Sequence, residues 1–163
     1  MRNYSDVIRQ MRQIPGVQEI LENELFLSMK GFRHHGNVTC LEHTLIVAST
    51  AYMMAIRFGA DIPATVRSAL LHDFYLYDWH TGGPGLHGFR HPAIALENAR
   101  KYFELSPVEE NAILRHMWPL TPVPPRYRES YIVSLSDKTA ALSDYKRAIF
   151  SGNGKLDSGN CPV

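Results

Sequence analysis

The chain has 163 residues, 45% of them hydrophobic and 20% charged, with a formal net charge of +1. That balance suits one soluble globular domain with a sizeable core. It supplies neither the basic field that a nucleic-acid polymer or an anionic membrane would need nor an apolar run of transmembrane length.

In chain order, Ser5 to Gln13 reads as a short helix, ended by Pro15-Gly16. Charges run through Met1 to Gln13, so no secretory signal is expected there. Gln18 to Met29 is a second helix, with Ile20, Leu21, Leu25 and Leu27 on its apolar side. Lys30 to Asn37, K-G-F-R-H-H-G-N, reads as a loop. Thr39 with Glu42 three residues later has the form of a capping box and opens a long helix that Gly59 stops. His43 lies in its first turns. Asp61 and Pro63 start the next helix, expected to run to Asp78 or Trp79.

Thr81 to Gly88 is too rich in glycine to be helical. His91-Pro92 is expected to begin the following helix, with Ile94, Leu96, Tyr102 and Phe103 on its buried side. Ser106-Pro107-x-Glu109 combines cap, first-turn proline and capping box, and that helix is expected to end near Trp118, with His116 in its last turn. Three prolines within Thr121 to Pro125 give a rigid extended connection. Tyr127 to about Ile149 returns to helical spacing through Ile132, Leu135, Ala140 and Leu142, with Asp137 in its middle. Ser151 to Val163 is polar and glycine-rich, a flexible tail. The expected fold is all-α, a single-domain helical bundle over 1–150. Cys40 and Cys161 form no disulfide framework, which favours reduced thiols and a cytoplasmic location.

Ser68 to Trp79, S-A-L-L-H-D-F-Y-L-Y-D-W, sets His72 and Asp73 in an otherwise almost wholly apolar run. A buried carboxylate there costs several kcal/mol unless a cation or strong hydrogen bonds compensate it. The neighbouring imidazole is one such partner. A divalent metal is the other, and it would satisfy both groups at once. His43, His72-Asp73, His91, His116 and Asp137 follow one another at roughly helix-plus-loop intervals. Ligands spaced this way come one per helix and converge inside a bundle.

The pattern H…HD…D, met by His43, His72-Asp73 and Asp137, resembles the HD-domain superfamily of metal-dependent hydrolases. Its context fits as well: C-L-E-H-T-L-I-V-A, S-A-L-L-H-D and V-S-L-S-D-K. The likeness spans about residues 36–145. His91 and His116 look like the two extra histidines of a six-ligand subgroup. By that resemblance His43, His72, Asp73 and Asp137 would hold one metal, and His91, His116 and a bridging Asp73 a second. The chain lacks the G-Y-P signature of the HD-GYP phosphodiesterases, so their cyclic dinucleotide substrate is not carried over. Where the nucleotidase branch often has a glutamate after the doublet, only Asp78 is near.

The resemblance implies two divalent ions, iron, manganese or another transition metal, with magnesium as a further option. It implies a small phosphorylated substrate, such as a nucleotide, attacked by metal-bound hydroxide. Arg33, His34, His35 and Lys138 are candidates to meet the phosphate. Lys138, His87 and His80 are candidates to assist the leaving oxygen, and Arg126 and Arg128 are weaker phosphate candidates. Each of these also fits an ordinary exposed loop or helix face. His91 fits a helix cap, and His116 fits a cation at a helix C-terminus. Two rivals share the ligand set: a di-iron oxygenase of the inositol-oxygenase type, and a non-catalytic ligand sensor that keeps its metal for stability. Oligomeric state is not legible in the sequence.

Overall fold

Eight α-helices and one short 3-10 turn make up the computed structural model, which describes residues 4–34, 38–81 and 85–150, with Tyr4 and 143–150 by backbone alone. The tail expected at 151–163, His35 and Cys161 lie outside the described residues. Among the described residues there is no strand; Arg33 and Thr39 form one isolated antiparallel bridge. The helices are α1 (Tyr4–Met11), α2 (Val17–Glu22), α3 (Glu24–Ser28), α4 (Cys40–Phe58), α5 (Ile62–Leu71), α6 (His87–Tyr102), α7 (Pro107–Arg115) and α8 (Arg128–Phe150). The all-α expectation therefore holds. Helices α4, α5, α7 and α8 pack together at the centre, α6 lies against α7, and the three short helices close over α4 and α5.

The capping signals act as read. Thr39 accepts from the Glu42 amide while Glu42 reaches back to the Thr39 amide, and Ser106 and Glu109 do the same for α7. Asp61 accepts from the Ala64 amide at the start of α5. Gly59 ends α4 in the left-handed region at φ 62°.

Four boundaries differ from expectation. The helix read over 18–29 is two helices, because the Asn23 side chain accepts from the amides of Leu25 and Phe26 and restarts the chain there. Ile20, Phe26 and Met29 are the fully buried residues of that stretch, and Leu27 is only half-buried. Helix α5 stops at Leu71, well before Trp79. Its continuation is diverted into a buried turn, where Tyr75 N–H donates to the Asp73 carbonyl and Asn98 from α6 donates to the Phe74 carbonyl. Helix α6 begins at His87, one turn before the Pro92 that was expected to open it. Proline has no N–H to give the Gly88 carbonyl, but the loss falls near the helix start, where it disturbs little. Finally, α7 ends at Arg115, which leaves His116 just past it. Tyr102, expected on the buried side of α6, is exposed; Leu135 and Leu142 are exposed too, and the buried side of α8 runs through Ile132, Val133, Ser136, Asp137 and Ala140.

Arg67 ties four segments together. Its Nε meets Glu109 at 2.5 Å, and its other nitrogens donate to the carbonyls of Gly16 (3.2 Å) and Glu104 (2.6 Å). Gly16 sits at φ 73°, and a Cβ there would fall 2.0 Å from Arg67 Nη1. Removing the cation leaves Glu109, 5% exposed, without its charged partner. Arg67→Ala is therefore expected to lose about 3 kcal/mol of stability in a urea titration; a loss below about 1 kcal/mol would place it with exposed pairs.

Candidate metal centre

The six sequence-predicted ligands form one connected, buried cluster. His43, on the first turn and a half of α4, is fully buried, and its Nε2 lies 3.1 Å from Asp137 Oδ1 on α8. His72 caps the C-terminus of α5, with Nε2 3.5 Å from Asp73 Oδ2 and 3.7 Å from Asp137 Oδ1. His91 Nε2 lies 3.2 Å, and His116 Nε2 3.6 Å, from Asp73 Oδ1. Asp73 is 3% exposed and stands between two groups of imidazoles, one on each carboxylate oxygen.

Three of these rings are oriented by the backbone. The Nδ1 atoms of His72, His91 and His116 contact the carbonyls of Ala69 (2.7 Å), His87 (2.9 Å) and Ile113 (2.8 Å). A carbonyl can only accept, so each Nδ1 carries the proton. In a neutral ring Nε2 then turns a lone pair to the centre, as a metal-ligating histidine requires.

That arrangement is unsatisfied by the protein alone. His91 Nε2 and His116 Nε2 are 2.8 Å apart. With both Nδ1 atoms protonated, two neutral rings would set lone pair against lone pair, which a shared proton or a cation relieves. His72 Nε2 and Asp73 Oδ1 are buried without a well-formed hydrogen bond, which is costly inside a protein. His116 is held neutral, its pKa lowered to about 3 by burial and then by the neighbouring His91 and His72. Burial also works against charge on Asp73 and Asp137, but the surrounding imidazoles outweigh it and keep both carboxyls well below the usual range. His72 is the converse: burial opposes its charge, while Asp73 and then Asp137 hold its pKa above the ordinary imidazole value. Ionised carboxylates, imidazoles that turn Nε2 inward and orphaned inward atoms are the donor set of a transition-metal site, where a bound cation would displace the proton that His72 otherwise favours. Groupings compact enough to hold an ion are His43, His72 and Asp137; His72, Asp73 and His116; and His34, His43 and Asp73.

His34 is the residue whose position the sequence did not disclose. Expected on a loop facing substrate, it is 8% exposed, with Nε2 3.2 Å from Asp73 Oδ2 and its ring stacked on His43 at 3.7 Å between centroids. Arg33 is exposed and lies outside the cavity lining.

A cavity of about 550 Å³ opens onto this centre. His34, Asp73, His91, His116 and Asp137 form its polar end, and Trp79, Met117, Pro119, Leu120 and Ala141 its apolar side. His87 and Lys138 also line it. Lys138 Nζ donates to the carbonyls of His116 (2.9 Å) and Ser134 (3.2 Å) and to Ser134 Oγ (2.9 Å), so its three protons are taken up. His87 Nδ1 is 2.9 Å from the Tyr77 hydroxyl, and its ring stacks between Trp79 and His91. Burial first, then His91, lowers the His87 pKa to about 4.

The remaining candidates sit elsewhere. His80 faces Asp78, ring nitrogen to carboxylate 3.3 Å, which engages the acid that follows the doublet in sequence with a partner in the loop. Arg128 donates to the carbonyls of Phe58 and Gly59 and so caps α4. Arg126 lies over the Tyr127 ring, 5.6 Å from its centroid. Cys40 is buried, its thiol against the Tyr75 hydroxyl at 3.5 Å.

The family model for the HD domain matches residues 40–142, from the start of α4 to within α8. No curated protein and no solved structure matches the chain. Among the described residues, no helix is long and apolar enough to cross a membrane.

Proposed function

The chain belongs to the HD-domain family, and from that premise we propose that it hydrolyses a small phosphate ester, using two divalent ions held on either side of Asp73. The observation that carries this reading is the division of the Asp73 carboxylate, Oδ1 toward His91 and His116, Oδ2 toward His34 and His72. His43, His72 and Asp137 would complete the first set, and His91 and His116 the second. When bound, such ions supply Lewis acidity and an activated water for in-line attack on phosphorus. No protein nucleophile is then needed.

The chain's own residues do the rest. Lys138 fixes the His116 carbonyl and acts on the site through that histidine. Among the described residues, Lys138 is the only lysine or arginine lining the cavity, so no spare side-chain cation is left to meet a polyphosphate. This favours a substrate with a single phosphoryl group, its organic part against Trp79, Met117 and Leu120. With the Tyr77 hydroxyl donating to Nδ1, His87 holds its proton on Nε2. Neutral near pH 7, it is suited to hydrogen-bond a phosphoryl or leaving oxygen rather than to release a full proton.

His87→Ala is expected to retain its ions while kcat falls about 100-fold. An unchanged kcat would remove His87 from the reaction. The reading as a whole is tested by loading the protein with manganese or iron and screening nucleoside and sugar monophosphates for phosphate release. Oxygen uptake by the iron-loaded protein without phosphate release would assign it to the oxygenase type. Stable metal binding with no turnover at all would assign it to the sensors.

A further inference from the structure

We propose that His34 is a seventh metal ligand, acting with His43 and Asp73. The inference rests on the metal-dependent reading above and extends it to a residue outside the H…HD…D pattern and ahead of the family match, which begins at residue 40.

His34 comes from a non-helical segment, unlike His43, His91 and Asp137, which lie within helices. Its backbone is pinned: His34 N–H donates to the Val38 carbonyl at 2.9 Å, and Cys40 N–H to the Phe32 carbonyl at 2.8 Å. The chain is thereby folded back so that the ring lies flat on His43, with 16° between the planes. Two stacked imidazoles thus enter the same centre, His43 with Nε2 on Asp137 Oδ1 and His34 with Nε2 on Asp73 Oδ2.

Ligand atoms of His34, His43 and Asp73 lie within 4.8 Å of one another, the same compactness as the two groupings drawn from the family pattern alone. The plainer role for the His34 ring is to donate a hydrogen bond to Asp73. In that case any side chain able to donate from the same place would replace it. A ligand cannot be replaced by an amide in this way, because carboxamides bind transition metals far more weakly than imidazole.

The test uses the full chain and its His34→Gln and His34→Ala variants, each loaded with cobalt(II). Ions per chain are counted after desalting, the visible cobalt spectrum is recorded, and resistance to a chelator is measured. A thermal melt confirms that each variant is folded. Ligation predicts that both variants shift the cobalt bands and release an ion at a chelator concentration at least about tenfold lower than the parent. A Gln variant with the parent's spectrum and chelator resistance would overturn the proposal and leave His34 as a hydrogen-bond donor. Parent-like behaviour of both variants would overturn it as well. Failure of the parent itself to bind cobalt would instead remove the metal-dependent reading, and the seventh ligand with it.

Discussion

Asp73→Ala is expected to lose both ions and at least about 1,000-fold in kcat, or about 4 kcal/mol of transition-state stabilisation. Among the described residues, no other carboxylate meets both groups of imidazoles: its two oxygens are the nearest acidic atoms to His34, His72, His91 and His116. Truncation to alanine removes the charge that lets an ion sit between neutral rings, and it leaves His91 and His116 facing each other at 2.8 Å. Elemental analysis of the variant after metal loading gives the first readout, and phosphate release the second. Two ions per chain in a folded Asp73→Ala protein would contradict the bridging role. Loss of one ion alone would move Asp73 to a single site.

Chelation is expected to lower the melting temperature markedly. An ion present at a hundredfold excess over its Kd stabilises the folded chain by about 2.7 kcal/mol. For a domain of this size each kcal/mol is worth about 2–4 °C, so removal of each ion lowers Tm by about 5–11 °C. The direction follows from the site itself. Without a cation the buried His72 Nε2 and Asp73 Oδ1 lose the partner that compensates their burial. A melt in excess chelator, followed by re-addition of the metal, measures the effect. A Tm unmoved by chelation of a protein shown to have released its ions would mean that the imidazoles and carboxylates satisfy one another unaided.

What the sequence discloses, and what it hides, divides along physical lines. Helix starts at Thr39, Asp61 and Ser106 are legible because capping is local: the bonds join residues three apart. The convergence of His43, His72, Asp73, His91, His116 and Asp137 is legible because polar groups at helix-plus-loop intervals in apolar surroundings point to a shared interior site. The end of α5 at Leu71 is not legible. The apolar run continues unbroken to Trp79, and the groups that hold the turn, Cys40 and Asn98, come from α4 and α6. Leu76 and Leu86 take positive φ, 57° and 60°, at positions where side-chain type gives no warning. His34 is hidden for the same reason. K-G-F-R-H-H-G-N has the composition of a solvated loop, and only the long-range approach to Asp73 makes its first histidine a buried group.

The most direct test is a crystal structure of the manganese- or iron-loaded protein, with anomalous scattering collected at the metal edge. The account predicts two peaks flanking the Asp73 carboxylate, one beside His91 and His116 and the other beside His43, His72 and Asp137. A map with no peak within bonding reach of Asp73, in crystals whose metal content is independently confirmed, would contradict it.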